Sequence, residues 1–334
     1  MESGTEIRYV AIGDSFSEGV GDERPDGVPR GWADRVAELI ARPVEGTEPS
    51  TVRYANLAVR GKLLPSILAD QLPAALALDP LPTHLSFNGG ANDIMRPGFD
   101  RRGYLAGVRA LVRRCQDAGV APIILSGADA STYVPLGRVL RRRAADLLDA
   151  TAEMCEELGC TFVDVFADPV LRAAGYWSGD RVHLNAAGHE YTAAVVAASQ
   201  SIPCSAPERL PMTTNVRSFA REIGYYREHV APWVSRRLRG RSSGDGRPPK
   251  FGAWTSVLAA TFEAIAEPAA DSAAGPAAES AAVAAASETA ARASAQARSQ
   301  VQAQTQAHAH VQATAPVAGE PAAVSPRPAT VPVS

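Results

Sequence analysis

A serine, an aspartate and a histidine stand where they could act together on a carbonyl group. Ser15 follows an apolar run that ends on Gly13, and such a run is typical of a strand that turns sharply. A serine hydroxyl is too weakly acidic to attack unaided and needs a base. Among the three histidines of residues 1–205, only His183 has an acid, Asp180, three positions earlier in a predicted loop. Together these side chains favour nucleophilic catalysis, whereas each motif alone is also ordinary turn chemistry.

Apolar runs alternate with amphipathic segments over about the first 200 residues, and these elements must position the three side chains. The predicted strands cover residues 7–12, 51–57, 83–88, 121–125 and 161–165. The predicted helices cover residues 31–42, 65–79 with an interruption at Pro73, about 104–118, 140–158, and 186–198 with Asn185 as a cap. Strands separated by single helices predict a parallel sheet covered on both faces. The candidate residues follow strand ends, where open α/β sheets bind ligands.

Four sequence blocks, in this order, resemble those of the GDSL esterases, also called SGNH hydrolases. They are Gly13-Asp14-Ser15, the loop leading to Gly61, Gly90-Ala91-Asn92-Asp93, and Asp180-Arg181-Val182-His183. The resemblance covers roughly residues 7–200. It implies an α/β fold of the flavodoxin-like, three-layer α/β/α type with a five-stranded parallel sheet. Gly31-Trp32-Ala33-Asp34 and the basic stretch near Gly240 also resemble actinobacterial members.

The resemblance assigns the catalytic roles. Ser15 would be the nucleophile, His183 its general base, and Asp180 the carboxylate that orients the imidazole.

The same resemblance implies an oxyanion hole. Its donors would be the backbone N–H groups of Ser15 and Gly61 and the side chain of Asn92. A glycine lets the backbone approach the substrate closely, and an asparagine amide donates without carrying charge. Asp14 and Asp93 would orient the neighbouring loops, although Gly61 also fits a plain turn and either aspartate also fits a turn cap.

The implied function is hydrolysis of a small-molecule carboxylic ester of esterase or lipase type. An acyltransferase or a carbohydrate deacetylase with the same site is one alternative, and a non-enzymatic protein that binds acyl groups or a membrane surface is another. Gly19-Val20-Gly21 lacks the rest of a dinucleotide fingerprint, so we expect no cofactor. We also expect no metal and no nucleic-acid partner. The pocket walls should come from residues 16–30, 94–101 and 127–138.

Charge and composition divide the chain into three parts. Residues 1–205, the predicted catalytic domain, carry 20 Lys/Arg and 26 Asp/Glu, whereas residues 206–250 carry 10 and 4. This basic segment is predicted to be partly helical. Its apolar side should dock on the domain, and weak contact of residues 217–250 with an anionic membrane surface is the second hypothesis. No signal peptide or membrane-spanning run is visible, so we expect a cytoplasmic protein.

Residues 251–334 form the third part, a low-complexity, Ala-rich tail that we expect to be disordered. A chain ending near Lys250 should then fold and hydrolyse esters like the full chain. The four cysteines have no Cys-x-x-Cys spacing, and Cys115 and Cys155 fall on apolar helix faces, which favours core packing.

Overall fold

The strands of this protein form one sheet, as a computed structural model shows for residues 6–42, 52–134, 137–202, 204, 209–210 and 242–257. The strands are β1 (Ile7–Gly13), β2 (Val52–Asn56), β3 (His84–Asn88), β4 (Ala121–Leu125), β5 (Thr161–Val163) and β6 (Phe251–Val257). Their order is β5-β4-β3-β1-β2-β6, and the pairings are parallel except that of β6 with β2. The first five strands follow the flavodoxin-like order, in which ligands bind where the strand order reverses, beside β1.

Helices cover both faces of this sheet. They are α1 (Ser15–Glu18), α2 (Gly31–Ala41), α3 (Leu64–Ser66), α4 (Leu72–Leu76), α5 (Ala91–Ile94), α6 (Arg101–Asp117), α7 (Gly137–Leu158) and α8 (Ala186–Ser199). On one face α2 and α8 pack in a core that contains Trp32 and Val196. On the other face α6 and α7 pack in a second core that contains Leu111 and Met154, together with Cys115 and Cys155. The three-layer prediction is therefore confirmed.

The helical segment before β3 differs from its prediction at one point. Pro73 does not interrupt the helix, because it lies in the first turn of α4, where the missing N–H is not needed. The irregularity comes just before it, as a π-helical turn over Ile67–Gln71 that joins α3 to α4. Asn185 caps α8 as predicted, since its side chain accepts a hydrogen bond from the backbone N–H of Gly188.

A sixth strand corrects the predicted strand count and the predicted start of the tail. Phe251–Val257, expected to be disordered, pairs antiparallel with β2 and covers its edge. The Phe251 ring lies 6.0 Å from that of Tyr54, and the Trp254 indole donates a 3.0 Å hydrogen bond to the Pro80 carbonyl. Composition averaged over residues 251–334 hid this short segment, whose two aromatic side chains pack against the sheet.

The remaining predictions for the C-terminal parts lie outside the described residues. These are the helical character expected around residues 217–239 and the disorder expected over residues 258–334. None of the helices in the described part of the chain has the length and apolarity needed to cross a bilayer.

Candidate active site

Ser15, His183 and Asp180 form a hydrogen-bonded chain at the carboxyl edge of the sheet. The His183 Nε2 atom lies 2.9 Å from the Ser15 Oγ, and the His183 Nδ1 atom lies 2.5 Å from the Asp180 Oδ2. Because a carboxylate accepts, Nδ1 carries the proton in this arrangement and the Nε2 lone pair faces the serine hydroxyl. The imidazole is therefore oriented to take the Ser15 proton.

The loop that contains Asp180 holds its carboxylate ionised. Its Oδ1 atom accepts hydrogen bonds from the Ser178 hydroxyl at 2.6 Å and from the backbone N–H groups of Val182 and His183 at 3.0 Å each. Burial alone would raise the pKa of Asp180, but hydrogen bonds and the nearby His183 outweigh burial and hold this pKa well below its usual range. The carboxylate thus keeps the charge that would stabilise an imidazolium at His183.

Ser15 is positioned by the turn that joins β1 to α1. Gly13 ends β1 with a φ of 143°, and a Cβ built on it would lie 2.0 Å from the Asn88 carbonyl oxygen, so only glycine fits there. Asp14 caps α1 by accepting a 3.2 Å hydrogen bond from the Phe16 N–H. As the first residue of a helix, Ser15 has a backbone N–H that the helix itself does not use.

Gln71 fixes the same turn, and the sequence analysis missed it. Its buried amide accepts from the Gly13 N–H at 2.8 Å and donates to the Gly13 carbonyl at 3.0 Å. The only sequence signal was a polar side chain on the inner face of an otherwise apolar helical segment. Gln71 therefore acts as a substitute strand partner for the backbone that leads to Ser15.

Asn92 reaches the site beside Asp14. Its Nδ2 atom donates to the Asp14 Oδ2 at 3.1 Å and to the Lys62 carbonyl at 3.3 Å. Burial is the main cause that raises the pKa of Asp14 to about 6. Asp93, also buried, accepts from the Leu64 N–H at 3.2 Å and so ties the third block to the loop after β2.

The loop after β2 brings Gly61 to α1 through an ion pair. Arg60 donates from its guanidinium to the Glu18 carboxylate at 2.6 Å, and its backbone N–H donates to the same carboxylate at 2.6 Å. Glu18 is buried as the last residue of α1. The pair therefore connects the residue before Gly61 directly to the turn that begins with Ser15.

His189 connects the start of α2 to the segment that follows α1. It is fully buried, its Nδ1 accepts from the Trp32 N–H at 3.1 Å, and its Nε2 lies 3.2 Å from the Val20 carbonyl. A backbone N–H can only donate, so the Nε2 atom carries the proton and the ring is neutral. Burial is the main cause that lowers the pKa of His189 to about 4.

A cavity of about 260 Å³ opens beside the loop that holds Asp180. Its walls combine two aromatic rings with polar groups: Tyr133, Ala174, Trp177, Ser178, Gly179 and Arg181. Neither Ser15 nor His183 lines this cavity, and of the three stretches expected to form the walls of the substrate pocket, residues 127–138 reach it through Tyr133. The other walls come from the Asp180 loop and the turn before it, which have no apolar periodicity to reveal them. Among the described residues no cluster of three acidic, histidine or cysteine side chains could hold a metal ion.

Comparison with known proteins gives one family match. The model of the GDSL-like Lipase/Acylhydrolase family matches residues 11–191, which include all four sequence blocks. No curated protein sequence matches the chain significantly. The predicted likeness to actinobacterial members stays a prediction.

Three solved structures, of two esterases and one hydrolase, resemble the chain at low sequence identity. An acetylxylan esterase from Geobacillus stearothermophilus is 22% identical, with a TM-score of 0.46 over 60% of this chain and 96% of that one. An alpha/beta hydrolase enzyme from the metagenome of Lake Arreo is 22% identical, with a TM-score of 0.49 over 61% and 99%. A psychrotrophic esterase from Pseudoalteromonas sp. is 19% identical, with a TM-score of 0.46 over 59% and 97%.

Proposed function

Because the chain belongs to the GDSL-like lipase/acylhydrolase family and is a carboxylic ester hydrolase, we propose that it works through an acyl-enzyme formed on Ser15. The observation that carries this mechanism is the pair of short contacts on His183, 2.9 Å to the Ser15 Oγ and 2.5 Å to the Asp180 Oδ2. A serine, a base and a group that orients the base are what nucleophilic acyl transfer needs.

In the first half of the reaction the Ser15 Oγ attacks the ester carbonyl carbon while its proton moves to the His183 Nε2. A tetrahedral intermediate forms, in which the carbonyl oxygen carries the negative charge. When the C–O bond to the alcohol breaks, the imidazolium returns the proton to the departing alkoxide oxygen. The acyl group is then bound to Ser15 as an ester.

In the second half, a water molecule replaces the alcohol. His183 takes a proton from the water as its oxygen attacks the acyl carbon, and the Ser15 Oγ departs with that proton. The products are the carboxylic acid and the free serine. Asp180 stays ionised throughout and stabilises the imidazolium each time it forms.

The oxyanion of both intermediates would be bound by three donors, which are the N–H groups of Ser15 and Gly61 and the amide of Asn92. Preorganised donors of this kind stabilise the transition state most when their positions are fixed before the substrate arrives. The ties of Arg60 to Glu18 and of Asn92 to Asp14 support such preorganisation.

The experiment that tests this proposal measures hydrolysis of activated esters of increasing acyl length, with and without an added alcohol as acceptor. Ser15→Ala and His183→Ala should each lower kcat on the order of 10³-fold or more while circular dichroism stays unchanged. A Ser15→Ala protein that hydrolyses esters at the wild-type rate would refute the mechanism. Preferential formation of a new ester with the added alcohol would assign the site to acyl transfer instead.

A further inference from the structure

Residues 242–257, called the C-terminal arm below, contact two of the catalytic loops although they lie outside the family match over residues 11–191. β6 fastens the arm to the sheet edge by pairing with β2. The residues that precede β6 extend from there to the carboxyl edge of the sheet. They contact α1 through Lys250 and the loop before Gly61 through Ser242 and Gly244.

The side chain of Lys250 is only 6% exposed and lies against the turn that contains the nucleophile. Its Nζ atom donates to the carbonyl of Glu18 at 2.7 Å and forms a 2.7 Å ion pair with Asp34. It also donates to the carbonyls of Pro29 and Arg30, at 2.9 and 2.7 Å. Lysine is rarely buried to this degree, and here four oxygen atoms replace the water that its ammonium would otherwise bind.

The Glu18 carbonyl belongs to the same single helical turn as the Ser15 hydroxyl. The Ser15 carbonyl accepts from the N–H groups of Gly19 and Val20, which directly follow α1, at 3.0 Å each. A single turn has few hydrogen bonds of its own, so ties from outside fix its direction. Lys250 provides such a tie at the carboxyl end, where a cation also interacts favourably with the helix dipole. Burial lowers the pKa of Lys250, and the nearby Asp34 opposes that shift and favours the charged form.

Gly244 lies against the peptide group that donates the Gly61 N–H. A Cβ built on Gly244 would be 2.0 Å from the Arg60 carbonyl oxygen, and one built on Gly61 would be 2.1 Å from the Ser242 Oγ. The Arg60 carbonyl and the Gly61 N–H belong to one planar peptide group, so a contact that fixes the oxygen also fixes the direction of the N–H. The arm therefore confines a proposed oxyanion donor as well as the nucleophile's turn.

We propose that the C-terminal arm braces the catalytic centre, with Lys250 as a positioning residue for Ser15 and Gly244 as a positioning residue for the Gly61 N–H. This inference rests on the proposed acyl-enzyme mechanism and extends the functional unit beyond the family's own sequence blocks. A positioning defect should appear in kcat, because it misaligns groups that act in the transition state, and leave KM nearly constant.

The first test compares Lys250→Met with Trp254→Phe in the full-length chain. Trp254 belongs to the same arm but contacts the core on the other face and the Pro80 carbonyl, so it reports on arm stability alone. Kinetics of all variants are measured at one temperature, at which circular dichroism shows that every variant is folded to the same extent. Lys250→Met should lower kcat at least tenfold with KM changed less than about threefold, whereas Trp254→Phe should keep kcat within about twofold. A kcat loss in Lys250→Met no larger than in Trp254→Phe would overturn the role of Lys250.

If Lys250→Met does not fold because buried Asp34 loses its 2.7 Å ion pair with Lys250, the double variant Lys250→Met/Asp34→Asn replaces it. The double variant removes both charges from the site and should show the same kcat loss. Wild-type kcat in that variant would overturn the role of Lys250.

The second test uses two glycines of the arm. Gly244→Ala places a methyl group against the Arg60 carbonyl, whereas a Cβ on Gly252 would meet only the Pro249 side chain at an ordinary 3.4 Å. Gly244→Ala should lower kcat at least tenfold with KM nearly constant, and Gly252→Ala should match the wild type. Equal activity of both variants would overturn the role of Gly244.

Assays of the wild type and of Ser15→Ala distinguish a failure of the acyl-enzyme mechanism from a failure of the proposed role of the C-terminal arm. A wild type whose hydrolysis does not depend on Ser15 would defeat the proposed mechanism and this inference together. A Ser15-dependent wild type with fully active arm variants would defeat this inference alone.

Discussion

At the scale of single residues, the Asn92 amide already donates hydrogen bonds before any substrate binds. It donates to Asp14 and, over a longer distance, to the Lys62 carbonyl. To stabilise an oxyanion, one of its N–H groups must donate to the substrate oxygen in place of one of these acceptors, or be shared with it. The longer bond to Lys62 is the weaker one. The Asp14 contact would remain as the anchor of the side chain.

Asn92→Ala should therefore lower kcat roughly 10² to 10³-fold, because loss of one oxyanion donor costs about 3 kcal/mol in the transition state. KM should change little, since the donor acts on charge that develops only after binding. Steady-state kinetics with an activated ester measure both constants. A rise in KM with an unchanged kcat would make Asn92 a substrate-binding residue instead.

His189 makes the stability of the fold depend on pH. Its folded-state pKa of about 4 lies below the ordinary value for histidine of about 6.5, so between these values the unfolded chain binds more protons than the folded one. Stability should then decline as the pH falls from about 6.5 to 4, on the order of 3 kcal/mol. Asp14 acts in the opposite direction, because its raised pKa stabilises the fold as the pH falls from about 6.

His189→Asn isolates the histidine contribution, since asparagine keeps an acceptor for the Trp32 N–H but does not titrate. Urea denaturation at pH 7 and pH 4.5 should show that the wild type loses more stability on acidification than the variant does. Equal losses in both proteins would show that His189 is not held neutral in the folded state.

At the scale of elements, the turn from β1 to α1 depends on a side chain from the π-helical turn. Gln71→Leu leaves the Gly13 N–H without its side-chain partner, whereas the Gly13 carbonyl keeps the 3.2 Å hydrogen bond from the Val59 N–H. An unpaired buried polar group costs about 1–3 kcal/mol. We expect a loss of about 1–3 kcal/mol in the free energy of unfolding and a lower kcat. The matched control is Gln116→Leu, because Gln116 is exposed and donates to the Leu158 carbonyl at 2.7 Å. Equal stability of the two variants would show that Gln71 does not hold the turn.

The elements show what the sequence could and could not predict. β4, predicted as residues 121–125, is Ala121–Leu125, because a short apolar run bounded by polar loops has few other solutions. The serine, histidine and aspartate met as expected because the strand order brings their loops to one edge. Gln71, His189 and Lys250 were not predicted, since each is a polar residue whose partner lies 58 or more positions away. Their burial follows from tertiary contacts that no local pattern records.

At the scale of the whole molecule, β6 changes where the chain can be shortened. A chain that ends near Lys250 would keep the catalytic sequence blocks but lose the strand that covers β2. An exposed strand edge favours association between chains. The expectation that such a chain behaves like the full protein rested on the tail starting at residue 251, and β6 removes that basis.

A chain ending at residue 260 should keep the melting temperature and kcat of the full chain, whereas one ending at residue 249 should melt at a lower temperature or aggregate. Thermal unfolding followed by circular dichroism and light scattering measures both outcomes. If the two shortened chains were equally stable, β6 would contribute nothing to the fold in solution.

The central claim is that Ser15 becomes covalently bound to the acyl group, and a covalent label tests it most directly. The full-length chain is treated with an activated alkyl phosphonate ester, and its mass is measured before and after digestion. The account predicts one phosphonyl group per chain, on the peptide that contains Ser15, and none in Ser15→Ala. It also predicts that His183→Ala reacts at least 10²-fold more slowly, because its serine lacks a base. A label on another residue, or equal labelling of Ser15→Ala, would contradict the account.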